Sequence, residues 1–192
     1  MKQEKKDNAL KQFWKYLQKD TWDSWIVSMI LLIILIKFVI FPGVGLILDT
    51  SLPIVIVESC SMYHESNIDT WWDNHGLWYE RIGINKSEFE DYSFKNGLNK
   101  GDIIIVKGSK EYEKGDIIIF NAGTQHPLIH RIVLTDPEIS TKGDHNAGQL
   151  IYDKNIEPNE IIGKSVIKIP FIGWIKLIFF EPFRTDSQQG FC

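Results

Sequence analysis

Hydrophobic positions along this chain come in three textures, and the first is helical. Leu10, Phe13, Trp14 and Leu17 fall at i, i+3, i+4 and i+7, the spacing of one helix face, within residues 1–24. That stretch holds six lysines against four acids, and an amphipathic helix of lysines and aromatics suits a membrane surface. A solvated helix packed on the protein is the plainer alternative. The second texture is an unbroken apolar run, Trp25–Leu48, with Lys37 its one charge in 24 residues. Roughly 20 helical apolar residues span a ~30 Å hydrocarbon core, so residues 25–48 are predicted as a single transmembrane anchor. Trp25 supplies an interfacial aromatic, and Pro42-Gly43 are expected to end the helix. Lys37 would then sit near the far interface, where its ammonium reaches outward. A cleavable signal peptide competes, but the flank before the run is long for one and no A-x-A site follows. Lysines crowd before the run and are missing just after it, which predicts a cytosolic N-terminus.

From Ser51 the texture becomes short β-rich runs between turn residues, with candidate strands at Pro53–Glu58, Asp102–Lys107, Asp116–Asn121, Leu128–Leu134 and Ile161–Ile169. Lys100-Gly101-Asp102 followed by three isoleucines recurs at Lys114-Gly115-Asp116, read as two similar strand starts rather than a duplication. Neither triple-isoleucine run alternates with polar residues, so both strands are expected to be buried on both faces. The expected fold class is mainly β: a twisted antiparallel domain over residues 49–168, behind the N-terminal transmembrane helix. A small helical insert over 64–99 interrupts it, rich in Trp71, Trp72, Trp78, Tyr79, Phe89, Tyr92 and Phe94, which read as local core. Residues 169–192 close the chain. Ile169–Phe180 is apolar but short for a span, and is expected to rest on the protein or dip into the membrane interface. The last dozen residues are expected to be disordered.

Charge and cysteine content remove some function classes. The net charge is −4, so no basic surface for nucleic acid is implied. Cys60 lies in an apolar stretch and Cys192 is the final residue; they pair only if the terminus folds back, so neither a disulfide nor a metal site is read from them. Five histidines invite a zinc-hydrolase reading, and His126 and His130 are four apart. Pro127 and the β-branched flank favour a strand or turn there, where that spacing has no special merit. No metal and no cofactor are therefore expected.

Three fragments remain as candidate chemistry: Ser59-Cys60-Ser61-Met62, His130-Arg131-Ile132, and Thr141-Lys142-Gly143-Asp144-His145-Asn146. Each alone is weak, since lone serines, lone histidines and polar turns are common. In this order, behind the apolar run and around the Gly115–Phe120 strand, they resemble the signal peptidase I family in its archaeal and endoplasmic-reticulum branch. The resemblance covers about Trp25 to Lys168. It implies a membrane-bound serine endopeptidase that removes signal peptides from exported precursors, at the cell membrane or endoplasmic reticulum membrane, single-pass, with its catalytic domain on the extracytoplasmic side. Implied partners are signal-peptide-bearing precursors and membrane lipid, and the protein-export translocon stays open as a further one.

By the same resemblance, Ser61 is the nucleophile, His130 its base and Asp144 the acid that orients the imidazole. The oxyanion hole falls to the Ser61 N–H and the Ser59 hydroxyl. The bacterial branch has lysine where this chain has His130, and neither Lys107 nor Lys142 lies in a setting that looks apolar enough to make a neutral base. Three positions depart from the pattern: Cys60 replaces a glycine, His64 replaces a proline, and the second acid after the Asp144 box is missing. Either Asp153 reaches back to fill that role, or Gln149 takes it over. A non-catalytic, membrane-tethered β-rich binding module that works through the aromatic insert is the alternative.

Overall fold

The computed structural model describes residues 2–184 and 189–192 and divides into two units, Met1–Ile47 and Leu48–Cys192. In the first unit, α1 (Lys2–Leu17) turns into a helix built of α2 (Trp22–Leu35), a π-helical turn (Ile36–Ile40) and α3 (Phe41–Leu48). The Ser24 hydroxyl donates to the Tyr16 carbonyl at 2.8 Å and fixes the turn between α1 and α2. Trp22–Leu48 spans 27 residues and contains an 18-residue stretch of mean hydropathy 2.8, and it is the one helix among the described residues long and apolar enough to cross a membrane. Pro42 does not end it. The Phe41 N–H reaches back five residues to the Ile36 carbonyl, and the π turn hands over to α3 so that Pro42 falls in a first turn, where a missing N–H costs little. Lys37 consequently lies inside the apolar run, with about 16 Å of helix beyond it at 1.5 Å per residue. Its ammonium rests 5.5 Å from the Phe38 ring.

The second unit holds one six-stranded antiparallel sheet in the order β1-β2-β6-β3-β4-β5. Its strands are β1 (Ile54–Ile56), β2 (Ile103–Lys107), β3 (Ile117–Phe120), β4 (Leu128–Leu134), β5 (Ser140–Lys142) and β6 (Ile161–Ile169). The expected runs form, and β5 joins them as three buried polar residues that carry no hydrophobic signal. With 40% helix and 18% strand, the chain is mixed α/β rather than mainly β. The Lys-Gly-Asp repeat has a local cause. Asp102 Oδ2 accepts from the Asn99 N–H at 2.9 Å, and Asp116 Oδ2 from the Glu113 N–H at 3.1 Å, closing the same turn twice. Gly101 and Gly115 take φ of +90° and +95° within those turns. The strands that follow, β2 and β3, flank β6 on either side. β3 is buried along its whole length, whereas β2 alternates, with Ile104 and Val106 inside and Ile103 and Ile105 half-exposed.

Alternation along β4 sorts its side chains between two cores. Ile132 packs with Ile118, Phe120 and Ile156, while Val133 packs with the insert residues Trp71, Trp72, Tyr79, Ile84 and Phe89. The insert is α4 (Ile68–Arg81) and α5 (Lys86–Glu90). Asn67 and Asn85 cap them, accepting from the N–H of Thr70 and Glu88 at 2.9 and 3.0 Å. The insert aromatics are thus core, and they fasten α4 and α5 to one face of the sheet.

The C-terminal segment forms α6 (Trp174–Phe180), which buries Leu177 and leaves Ile175, Ile178 and Phe179 exposed. The chain beyond it was expected to be disordered. Residues 185–188 lie outside the described residues, and the rest is ordered against the body. Arg184 donates to the Glu58 carbonyl at 2.9 Å and to Glu58 Oε2 at 2.7 Å, and the Gly190 N–H donates to Glu181 Oε1 at 2.8 Å. These contacts fold the terminus back, so Cys60 and Cys192 form a disulfide, against the expectation that they would not pair. A non-reducing peptide map should join the Cys60 and Cys192 fragments. The double variant Cys60→Ser/Cys192→Ser should lose about 2–4 kcal/mol in denaturant unfolding of the full chain in detergent; unlinked fragments would refute the pairing.

Candidate active site

Ser61 occupies a turn just past β1, closed by the Tyr63 N–H on the Cys60 carbonyl at 3.1 Å. Its hydroxyl lies 3.2 Å from the Ser59 hydroxyl. The turn is fixed from behind. The Ser61 carbonyl accepts from the His145 N–H at 2.8 Å, and the Met62 carbonyl accepts from the Leu98 N–H at 2.8 Å. His130 projects from β4, buried, and Gly143 lies between it and the serine turn. A Cβ on Gly143 would stand 2.8 Å from the Ser61 carbonyl oxygen and 2.9 Å from His130 Nε2, too close for any side chain. Glycine there lets the imidazole and the serine turn face each other across one missing methyl.

The acid on His130 is Asp153. Its Oδ1 lies 2.5 Å from His130 Nδ1 and accepts from the Thr141 hydroxyl at 2.7 Å, while Oδ2 accepts from the Leu150 N–H at 2.7 Å. Burial penalises the Asp153 carboxylate, but the His130, Thr141 and Leu150 contacts outweigh it and hold the carboxyl below its usual range. Gln149 does not reach His130; it donates to the Thr141 carbonyl at 2.8 Å and steadies the strand that carries Thr141.

Asp144, expected on His130, is elsewhere. It accepts from Arg131 Nη2 at 2.7 Å and Nε at 3.0 Å, and from the Tyr79 hydroxyl at 3.0 Å, with His64 Nε2 3.0 Å away. Strand alternation is the reason: His130 and Arg131 are neighbours in β4 and must point to opposite faces. Asp153 serves the His130 face and Asp144 the Arg131 face. Burial would raise the Asp144 pKa, but the Arg131 guanidinium and the His64 and Arg131 hydrogen bonds hold it well below the usual carboxylate range. His64 is pushed down by burial, against the pull of Asp144, and stacks on Trp71 at 3.9 Å.

No protein-family model matches the chain. The signal peptidase complex catalytic subunit SEC11 of Colletotrichum graminicola is 27% identical over 170 residues, 83% of this chain and 83% of that protein. The protein of the same name from Pyricularia oryzae is 27% identical over 113 residues, 51% of this chain and 66% of its own. The resemblance to the signal peptidase I family is borne out.

Within the signal peptidase resemblance, the residues that sequence reasoning left without a role are Arg131, Tyr79 and Thr141. Arg131 stands inside the box that named His130, and strand alternation is the signal that gives it a separate partner. Lys142 corrects a second expectation. Its turn looked too polar to depress a lysine, yet its side chain is buried, 4.8 Å from the Tyr79 ring and 5.2 Å from the Trp78 ring. Burial pushes it down to about 8, with Asp144 and Asp153 opposing. The ammonium donates to the Gly143 and Asp144 carbonyls at 3.0 and 3.2 Å, so it braces the loop that holds Gly143.

A depressed lysine destabilises the fold wherever the folded chain must hold a proton that burial resists. Below about pH 8 that penalty is full, and it is relieved as pH rises toward the unfolded lysine's 10.5. Denaturant unfolding of the full chain in detergent should therefore show this group adding about 1–2 kcal/mol between pH 7.5 and 9.5. Lys142→Met should flatten that rise. An unchanged slope in the variant would contradict the assignment.

Proposed function

We propose that this chain is a membrane-anchored serine endopeptidase that removes signal peptides from exported precursor proteins, with Ser61 as nucleophile, His130 as base and Asp153 as the acid that orients it. The observation that carries the reading is the His130 imidazole held at Nδ1 by Asp153 while Nε2 faces the Ser61 turn across Gly143. A serine hydroxyl needs a neighbouring base. In this reading His130 Nε2 takes the Ser61 proton as Oγ attacks the carbonyl before the scissile bond. Asp153 stabilises the imidazolium, and His130 then passes the proton to the departing amine. Water next hydrolyses the ester on Ser61 by the same base. The Ser59 hydroxyl, 3.2 Å from that of Ser61, and the Ser61 N–H are the donors offered to the oxyanion.

The similarity to SEC11 of Colletotrichum graminicola supports signal peptides as the substrate class. Trp22–Leu48 supports anchoring of the chain in a membrane. The Cys60–Cys192 disulfide suits an oxidising compartment, which supports an extracytoplasmic site for residues 48–192. Lys142 is an unsuitable rival base, because its ammonium is committed to two backbone carbonyls.

The test uses the full chain in detergent or reconstituted bilayers, a signal-peptide-bearing precursor, and sequencing of the new N-terminus. Ser61→Ala and His130→Ala should abolish cleavage while the fold is retained. Ser59→Ala should slow it by about ten- to a thousandfold. Cleavage by Ser61→Ala at the wild-type rate would end the assignment of Ser61 as nucleophile, and no cleavage by the wild-type chain would leave the non-catalytic binding-module alternative. Asp153→Asn should lose about 10⁴-fold in rate, by analogy with the loss of the orienting acid in serine triads, in a chain that still folds. Asp144→Ala should instead lose about 3–5 kcal/mol of stability, because it strands the buried Arg131.

A further inference from the structure

Three side chains that the proposed reaction does not use converge beside the serine turn. Glu65 follows that turn, His75 stands on α4, and His145 follows Asp144 in the loop after β5. His75 Nε2 is 3.2 Å from Glu65 Oε1 and His145 Nδ1 is 3.6 Å from Glu65 Oε2. One ligand atom from each residue lies within 4.8 Å of the others. Tetrahedral zinc holds nitrogen and oxygen ligands at about 2.0–2.2 Å, which puts neighbouring ligand atoms roughly 3.3 Å apart. The two histidine–glutamate separations are close to that, and the three ligand atoms as a set lie within 4.8 Å. Orientation is also partly set in advance: His75 stacks on the buried Trp71, with centroids 5.4 Å apart and planes 18° apart, and Asn74 Nδ2 donates to Glu65 Oε1 at 3.4 Å. His126 and His130, whose spacing suggests zinc in the sequence, take no part. His126 is exposed, and Asp153 occupies His130.

We infer that Glu65, His75 and His145 form a binding site for a zinc-like divalent ion, with water completing the coordination. Two imidazoles and one carboxylate suit zinc rather than magnesium or calcium, which prefer all-oxygen sets. The ion would join three segments: the chain after Ser61, helix α4, and the loop after β5. Because the His145 N–H holds the Ser61 carbonyl at 2.8 Å, the ion would steady the serine turn through one peptide group. The inference does not depend on the peptidase reading.

The test is calorimetric titration of the metal-stripped full chain in detergent with zinc chloride, alongside cobalt(II) absorbance and thermal unfolding. One ion should bind per chain, cobalt should give tetrahedral or five-coordinate visible bands, and zinc should raise Tm. Glu65→Gln, His75→Gln and His145→Gln should each weaken binding by at least about tenfold and remove the zinc-dependent rise in Tm. His126→Gln should bind as the wild type does. No saturable binding to the wild-type chain would overturn the inference, and so would equal binding by the three variants.

Discussion

The second unit is organised around one buried ion pair, Arg131 with Asp144. Neither side chain reaches solvent, and a buried charge is tolerated only when its partners are complete. Arg131 meets that condition with five groups. Its guanidinium bonds Asp144 and donates to the carbonyls of Ser93, Phe94 and Gly115 at 2.8–3.0 Å, and it lies 4.8 Å from the Phe89 ring. Those partners come from the loop after β5, from α5 and the end of the insert, and from the turn before β3. Asp144 adds Tyr79 from α4 and His64 from the chain after Ser61. The pair therefore fixes the loop that carries Gly143, and through it the gap between the serine turn and His130.

Much of this was legible in the sequence, for identifiable reasons. Strands were readable where triple isoleucines or β-branched runs lay between Gly-Asp turns, and the insert was readable from its aromatic density. β5 escaped because Ser140, Thr141 and Lys142 are buried by tertiary contacts that no hydrophobic pattern announces. The helix continuing through Pro42 escaped because a π turn upstream shifted the proline into a tolerant position. Within the site, the serine pair and His130 were marked by their boxes. The two acids were not separable by sequence: Asp144 sits in the box, while Asp153 lies nine residues on, in a 3₁₀ turn that brings it back to Thr141 and His130. The family resemblance named one acid for His130, and the pleat of β4 selected the other.

The end of the chain made the opposite kind of error possible. Two cysteines far apart gave no pairing signal, because what joins them is the docking of Arg184 on Glu58 and of Gly190 on Glu181. Ionic and backbone contacts hold the tail against the body, and the covalent bond secures the serine turn in which Cys60 lies. The tail is thus joined covalently to the serine turn through Cys60, between Ser59 and Ser61.

The neighbouring positions of His130 and Arg131 make tolerance to mutation uneven in kind. A substitution in β4 alters one contact, but gaining or losing a single residue upstream in that strand would move every later side chain to the other face. A permanent cation would then meet Asp153, and an imidazole would meet Asp144. Strand β4, paired in regular register with β3 and with β5 up to a register shift between Ile132 and Leu134, should therefore keep its length up to Arg131 more strictly than its composition. The turn at 121–127 on one side and the loop at 135–139 on the other are where lineages can add or drop residues without exchanging the two acids.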